Sequence, residues 1–164
     1  MRSLLRDRDQ HLARPSPIRH DQRMWTELIA ALPGEASLHP PAPESAIHEC
    51  ERLLGERLPG QLAALLCESN GVDGEYGLGL IWPIGRIIAD NLHFRSNAEF
   101  TELYMPFDPL LFFADAGNGD QFALVPHTGR PDVFVWDHEN DSRTWVAPEL
   151  SEYLRWWTTG RLKL

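Results

Sequence analysis

Four β-prone runs fall between residues 110 and 146, and the breaks between them suit only antiparallel neighbours. The runs are Leu110 to Ala114, Gln121 to Val125, Val133 to Trp136 and Arg143 to Val146. A parallel pair needs a crossover of about a dozen residues or more, and none of these breaks provides one. The first break holds Gly117-Asn118-Gly119-Asp120, in which glycine supplies positive φ and the Asn and Asp side chains bond nearby amides. The second, His127 to Asp132, carries Gly129 and Pro131. The third is the polar stretch Asp137-His138-Glu139-Asn140-Asp141-Ser142. A glycine-rich, aromatic run from Tyr76 to Ile84, ending at Trp82-Pro83, reads as one more strand.

Helical spacing brackets the strands. Met24, Trp25, Leu28, Ile29 and Leu32 repeat on one face until Pro33-Gly34 stops them. The proline-rich linker Glu35 to Pro43 is extended, and an amphipathic helix with Ile47, Cys50, Leu53 and Leu54 starts near Glu44. Pro59 suits the first position of a helix carrying Leu62, Leu65 and Leu66, with Asn70-Gly71 as its left-handed cap. Ile87, Ile88, Asn91 and Leu92 mark a short helix. Leu150, Tyr153, Leu154 and Trp157 mark the closing one, which Pro148 opens and Gly160 ends. The expectation is an α+β domain, N-terminal helices and a C-terminal helix packed around an antiparallel sheet of four or more strands, the helices on one side of it.

Residues 24–164 are expected to form one domain, because 164 residues bury roughly 70% of the open chain's surface without a disulfide or metal. Cys50 and Cys67 are read as reduced core thiols. No apolar run approaches the length of a membrane helix, and Arg6-Asp7-Arg8-Asp9 interrupts any export signal, so a cytoplasmic protein is expected. Residues 1–23 hold six arginines against three aspartates and no sustained period. They read as a disordered arm, or as a misplaced start with translation beginning at Met24. Intact mass of the natively expressed protein separates the two.

The rest of the chain is acidic. Residues 24–164 carry nine Lys and Arg against 21 Asp and Glu, a net of −12. An acidic body argues against nucleic acid as a partner, since affinity for phosphate needs clustered cations, and is compatible with a basic protein reached by electrostatic steering.

Catalytic and metal motifs are weak. The loop Asp115 to Asp120 fails as a calcium site, because Gly117 and Gly119 would stand where side-chain oxygens are needed. It fails as a phosphate cradle because no lysine follows. His138 and Glu139 would point to opposite faces if the strand continued. A hydrolase built on Asp115, Asp120 and His138 is a remote third reading. No catalytic residue, metal or cofactor is expected.

Residues 41–158 resemble the SUKH superfamily, the domain named partly for the yeast cell-wall synthesis regulator Smi/Knr. The landmarks are Pro41-Ala42, Glu51 to Gly55 with Leu58-Pro59, and Leu65-Leu66 running to Ser69-Asn70-Gly71. Leu80 to Ile84, the line Leu111 to Ala123, and Val135-Trp136-Asp137-His138-Glu139 complete the set. The resemblance implies a non-catalytic helix-plus-sheet module. In bacteria such domains look like immunity proteins that neutralise polymorphic or contact-dependent toxins, often nucleases; in fungi they act as regulatory or scaffold modules. Fourteen arginines against the single Lys163 suggest a high-GC bacterial genome. Leu58, Pro59, Asn70, Gly71, Trp82, Pro83, Gly117, Gly119, Asp120, Phe122 and Trp136 serve the fold on this reading. Charge and aromatic exposure then name the candidate contacts for a basic toxin domain: Asp73, Glu75, Asp137, Glu139 and Asp141, with Trp145 or Trp156 as aromatic anchor.

Overall fold

A computed structural model describes residues 23–164; the reading of residues 1–22 as an arm lies outside the described residues. The element order is α1 (Met24–Ala30), β1 (Ser37–Leu38), α2 (Glu44–Leu54), α3 (Gly60–Glu68), β2 (Val72–Asp73), β3 (Gly79–Ile81), α4 (Ile84–Ser96) and α5 (Ala98–Leu103). It continues with β4 (Leu111–Asp115), β5 (Gln121–Leu124), β6 (Val133–Trp136), β7 (Arg143–Ala147) and α6 (Leu150–Thr158). The α+β class and the closing helix are as expected from the sequence.

The four β-prone runs form one sheet in the order β4-β5-β6-β7, antiparallel throughout. The register pairs Phe122 with Val135, and Phe134 with Trp145. Helices cover both of its faces, which corrects the expectation of helices on one side. Phe112 meets Phe94 of α4, ring centroids 4.9 Å apart, whereas its neighbour Phe113 and Phe122 of β5 meet Tyr153 of α6 at 5.3 and 4.8 Å. Adjacent strand residues point opposite ways, so a strand apolar at consecutive positions must be buried on both sides. All three phenylalanines are at 0% exposure.

A second, three-stranded sheet runs β1-β2-β3, also antiparallel. It joins the first where the Trp82 amide donates to the Phe113 carbonyl at 2.8 Å. Strands of two or three residues are too short to show a period, and the sequence gives no other sign of β1 and β2. The strand expected over Tyr76 to Ile84 shrinks to Gly79–Ile81, because Glu75–Gly77 forms a 3-10 turn with Tyr76 at φ 57°. The short helix expected around Ile87 extends over Ile84–Ser96 and is followed by α5.

Asn70 and Gly71 do a different job from the one expected. Helix α3 ends at Glu68 and leaves through Ser69 in an extended conformation. The Asn70 side-chain oxygen instead accepts the Ile84 amide at 2.8 Å, capping the start of α4, where Pro83 has no side-chain oxygen to offer. Gly71 has φ 97°, and a Cβ there would sit 3.0 Å from the Pro83 nitrogen. Buried Asn91 then fixes α4 to β4: its amide nitrogen donates to the Ile87 and Phe112 carbonyls, and its oxygen accepts the Phe112 amide. The Tyr153 hydroxyl donates to the Leu80 carbonyl at 3.0 Å, tying α6 to β3.

Cys50 lies in the core, where burial pushes its thiol up to about 11. Cys67 is exposed, which corrects the reading of two core thiols; both are free. It sits on the side of α3 opposite the Leu62, Leu65 and Leu66 stripe. No described helix is long and apolar enough to cross a membrane.

Candidate functional site

The sequence candidates divide between two faces. The first is built on the β6–β7 turn, which packs against the β4–β5 hairpin. Asp120 ends that hairpin loop and faces His138: its carboxylate accepts the imidazole Nδ1 at 2.7 Å and the His138 amide at 3.1 Å. Partial burial works to raise the Asp120 carboxyl, but the bonds from His138 and from Asn118 outweigh it and hold it low. The same contact holds the His138 imidazole above its ordinary value. Gly119, at φ 101°, makes this approach possible, since a Cβ would lie 2.9 Å from the imidazole.

Asp120, Asp137 and His138 bring three potential metal-ligand atoms within 4.8 Å of one another. Their carboxylate oxygens are already engaged. Asp120 accepts from His138 and Asn118, and Asp137 accepts the Glu139 amide and the Asn140 side chain, both at 2.8 Å. That is the chemistry of two capped turns. Asp115, the third member of the hydrolase reading, does not join them. Both of its oxygens are gripped by Arg86, at 2.6 and 2.8 Å, and Arg86 in turn lies 4.1 Å over the Trp82 ring.

Asp141 is also held from within. Its carboxylate accepts the Met105 amide and the Trp136 indole, each at 2.8 Å, and Arg143 stands at 3.4 Å. Burial opposes but does not overcome these bonds, so its carboxyl too is held low. Glu139 is exposed at the turn.

Asp137, Trp145 and Trp156 do come together. They line a groove of about 440 Å³ between β7 and the residues that follow α6. The Trp145 and Trp156 rings meet edge to face with centroids 6.4 Å apart, and Trp145 donates to Asp132 at 2.9 Å. Arg161 and Lys163 form part of the same wall, Arg161 lying 4.3 Å over Trp156. The groove is therefore aromatic and of mixed charge.

The second face lies on the small sheet and carries Asp73 and Glu75. Asp73 contacts the His39 ring at 2.7 Å, and Glu75 is exposed. Beside them Tyr76 projects fully into solvent from a left-handed backbone. It lines two hollows, one of about 270 Å³ toward Glu35 and Trp157, and one of about 600 Å³ toward Gly117, Gly119 and Asp120. The walls hold Glu35, Glu75, Asp115 and Asp120, with no lysine or arginine. Glu35 and Glu75 have no cationic partner among the described residues.

The SMI1-KNR4 cell-wall family, in its SUKH_6 form, matches residues 44–154. The chain belongs to that family. No curated protein matches it. The family match spans the helices α2 to α5, the whole four-stranded sheet and the first half of α6, so both faces fall largely inside it. Of the family landmarks read in the sequence, Leu58, Trp82, Phe122 and Trp136 are buried, and Pro59 and Pro83 precede α3 and α4. Sequence reasoning misses Tyr76 as a surface residue. Its only signal is Gly74-Glu75-Tyr76-Gly77, an acid and an aromatic between two glycines, which marks a turn rather than a strand.

Proposed function

We propose that this family member is a non-catalytic protein-binding module, an immunity protein that binds a basic bacterial toxin domain stoichiometrically and blocks it. The observation that carries this reading is charge. Residues 24–164 bear a net −12, and Glu35, Glu75 and Glu139 are exposed acids without a cationic partner among the described residues. An acidic surface of this kind complements a cationic active-site cleft as phosphate does, and it steers encounter more than it adds affinity. The aromatic groove at Trp145 and Trp156 supplies apolar area of the type that anchors protein interfaces.

The test is capture. The full chain is used as bait in lysate of its own organism, and what it retains is identified by mass spectrometry. Retention of a large secreted protein through its C-terminal toxin domain supports the immunity reading. Retention of an endogenous cytosolic protein moves the assignment to a regulatory or scaffold module, the reading that the family's cell-wall description favours. A toxin-coding neighbour on the chromosome points to the first, an isolated gene to the second.

A further inference from the structure

We infer that the partner-binding face is centred on Tyr76 and takes an arginine- or lysine-rich segment of a protein partner, one cation stacking on the tyrosine ring and its neighbours lying in the two acidic hollows beside it. The inference rests on the protein-binding reading above and places it on one surface.

Three independent observations converge there. The first is backbone strain. Tyr76 sits at φ 57°, a left-handed conformation that side chains avoid, with glycines two residues before it and directly after it. Strain at a residue that contributes nothing to the core marks a position held for another purpose. Tyr76 contributes nothing: its side chain is fully exposed and is absent from the apolar core and from every aromatic contact among the described residues.

The second is residue type. Tyrosine is among the side chains that dominate interface energetics, and its ring face attracts cations. Trp145 and Trp156 already spend their faces and edges on each other and on Arg161, whereas Tyr76 offers both faces. The third is charge. The Trp145–Trp156 groove sets Arg161 and Lys163 against Asp120 and Asp137; the two hollows flanking Tyr76 are lined by Glu35, Glu75, Asp115 and Asp120 with no lysine or arginine. Although Arg86 pairs with Asp115 and His138 with Asp120, Glu35 and Glu75 have no cationic partner among the described residues. A cationic segment is drawn more strongly to the second surface, where two acids stand unpaired, than to the first, where the charges balance.

The scaffold can hold such a turn. The residues on either side are anchored, since the Gly74 amide donates to the Leu78 carbonyl at 2.7 Å and the Leu78 amide to Glu75 at 3.1 Å. Leu80, just beyond, is buried and accepts the Tyr153 hydroxyl. The projecting ring is therefore presented on a fixed base, which lowers the ordering cost of binding.

The test uses the isotopically labelled full chain titrated with a hexa-arginine peptide, hexaglutamate being the control, and follows backbone amides by NMR. Saturable shifts are expected at Glu75, Tyr76, Gly77, Gly117 and Gly119 with arginine only. Tyr76→Ala weakens peptide binding about three- to tenfold, while Tyr76→Phe, which keeps the ring, stays within about twofold of the parent. Melting temperature and the unshifted amides of the four-stranded sheet verify that each variant is folded. Shifts centred on Trp145 and Trp156, or an unchanged affinity in Tyr76→Ala, overturn the placement. The same variants serve as bait in the capture experiment. Equal retention of a partner by parent and Tyr76→Ala overturns this face and leaves the protein-binding reading standing. Peptide binding at Tyr76 by a chain that retains no protein contradicts that reading and supports the site.

Discussion

The four-stranded sheet keeps its aromatic rings dry: Phe112, Phe113 and Phe122 are wholly buried, and α4 and α6 close over opposite faces. The three-stranded sheet is made of strands two or three residues long, and the turn leading into its last strand holds a strained tyrosine in water. Yet they share a hydrogen bond from Trp82 to Phe113, so the weaker sheet borrows the rigidity of the stronger. The difference teaches a division of labour. Residues that fix the fold are buried and bonded on every side, and a costly conformation is tolerated only where that framework over-determines it.

The largest effect should come from the dry sheet. Phe112→Ala removes a ring packed against Phe94, Phe107 and Trp136 and should cost about 3–5 kcal/mol in denaturant unfolding. A loss under about 1 kcal/mol would mean that the sheet is not the framework described. Asn91→Leu is next. It strips the Phe112 amide and carbonyl of their side-chain partners without leaving a void, and about 2–3 kcal/mol should be lost.

The exposed region should respond in the opposite sense. Tyr76→Gly relieves about 1–2 kcal/mol of left-handed strain and returns part of it as chain entropy, so a gain of up to about 1 kcal/mol is expected. Clear destabilisation would show that Tyr76 belongs to the framework, and the contrast between the two sheets would fail.

The smallest effect is a pH dependence at the hairpin loop that adjoins both regions. Asp120 has its carboxyl lowered from 3.8, so its contribution is present above that value and fades as pH falls through the lowered value. His138 has its imidazole raised from 6.5, so its contribution is present below 6.5 and fades as pH rises through the raised value. The pair therefore stabilises the fold between 3.8 and 6.5. The stability difference between parent and His138→Ala should be widest in that window and narrow on either side of it. A difference independent of pH would assign His138 to packing alone.

The meander was legible because its turns are short and its strands are continuous apolar runs; Leu111 to Ala114 could be little else. Helix α6 was equally plain from Leu150, Tyr153, Leu154 and Trp157. What escaped has a common physical cause: contacts distant in sequence. Nothing local in Asn70-Gly71 reveals that the asparagine caps a helix fourteen residues on, and β1 and β2 exist only through pairing with each other and with β3. The sites divide in the same way. Composition named acids and tryptophans, but only the fold shows that Asp141 is consumed by Met105 and Trp136, while Asp137, Trp145 and Trp156 share a groove. Tyr76 was hidden because its distinction is a backbone angle.

The central claim is that an acidic surface captures a cationic protein partner, and the association rate measures it most directly. With the partner retained by the full chain, stopped-flow or surface-based kinetics across about 0.05 to 0.5 M salt should show association slowing by tenfold or more while dissociation changes little. An association rate that stays flat over that range would contradict electrostatic capture and return the acids of residues 24–164 to a role in solubility alone.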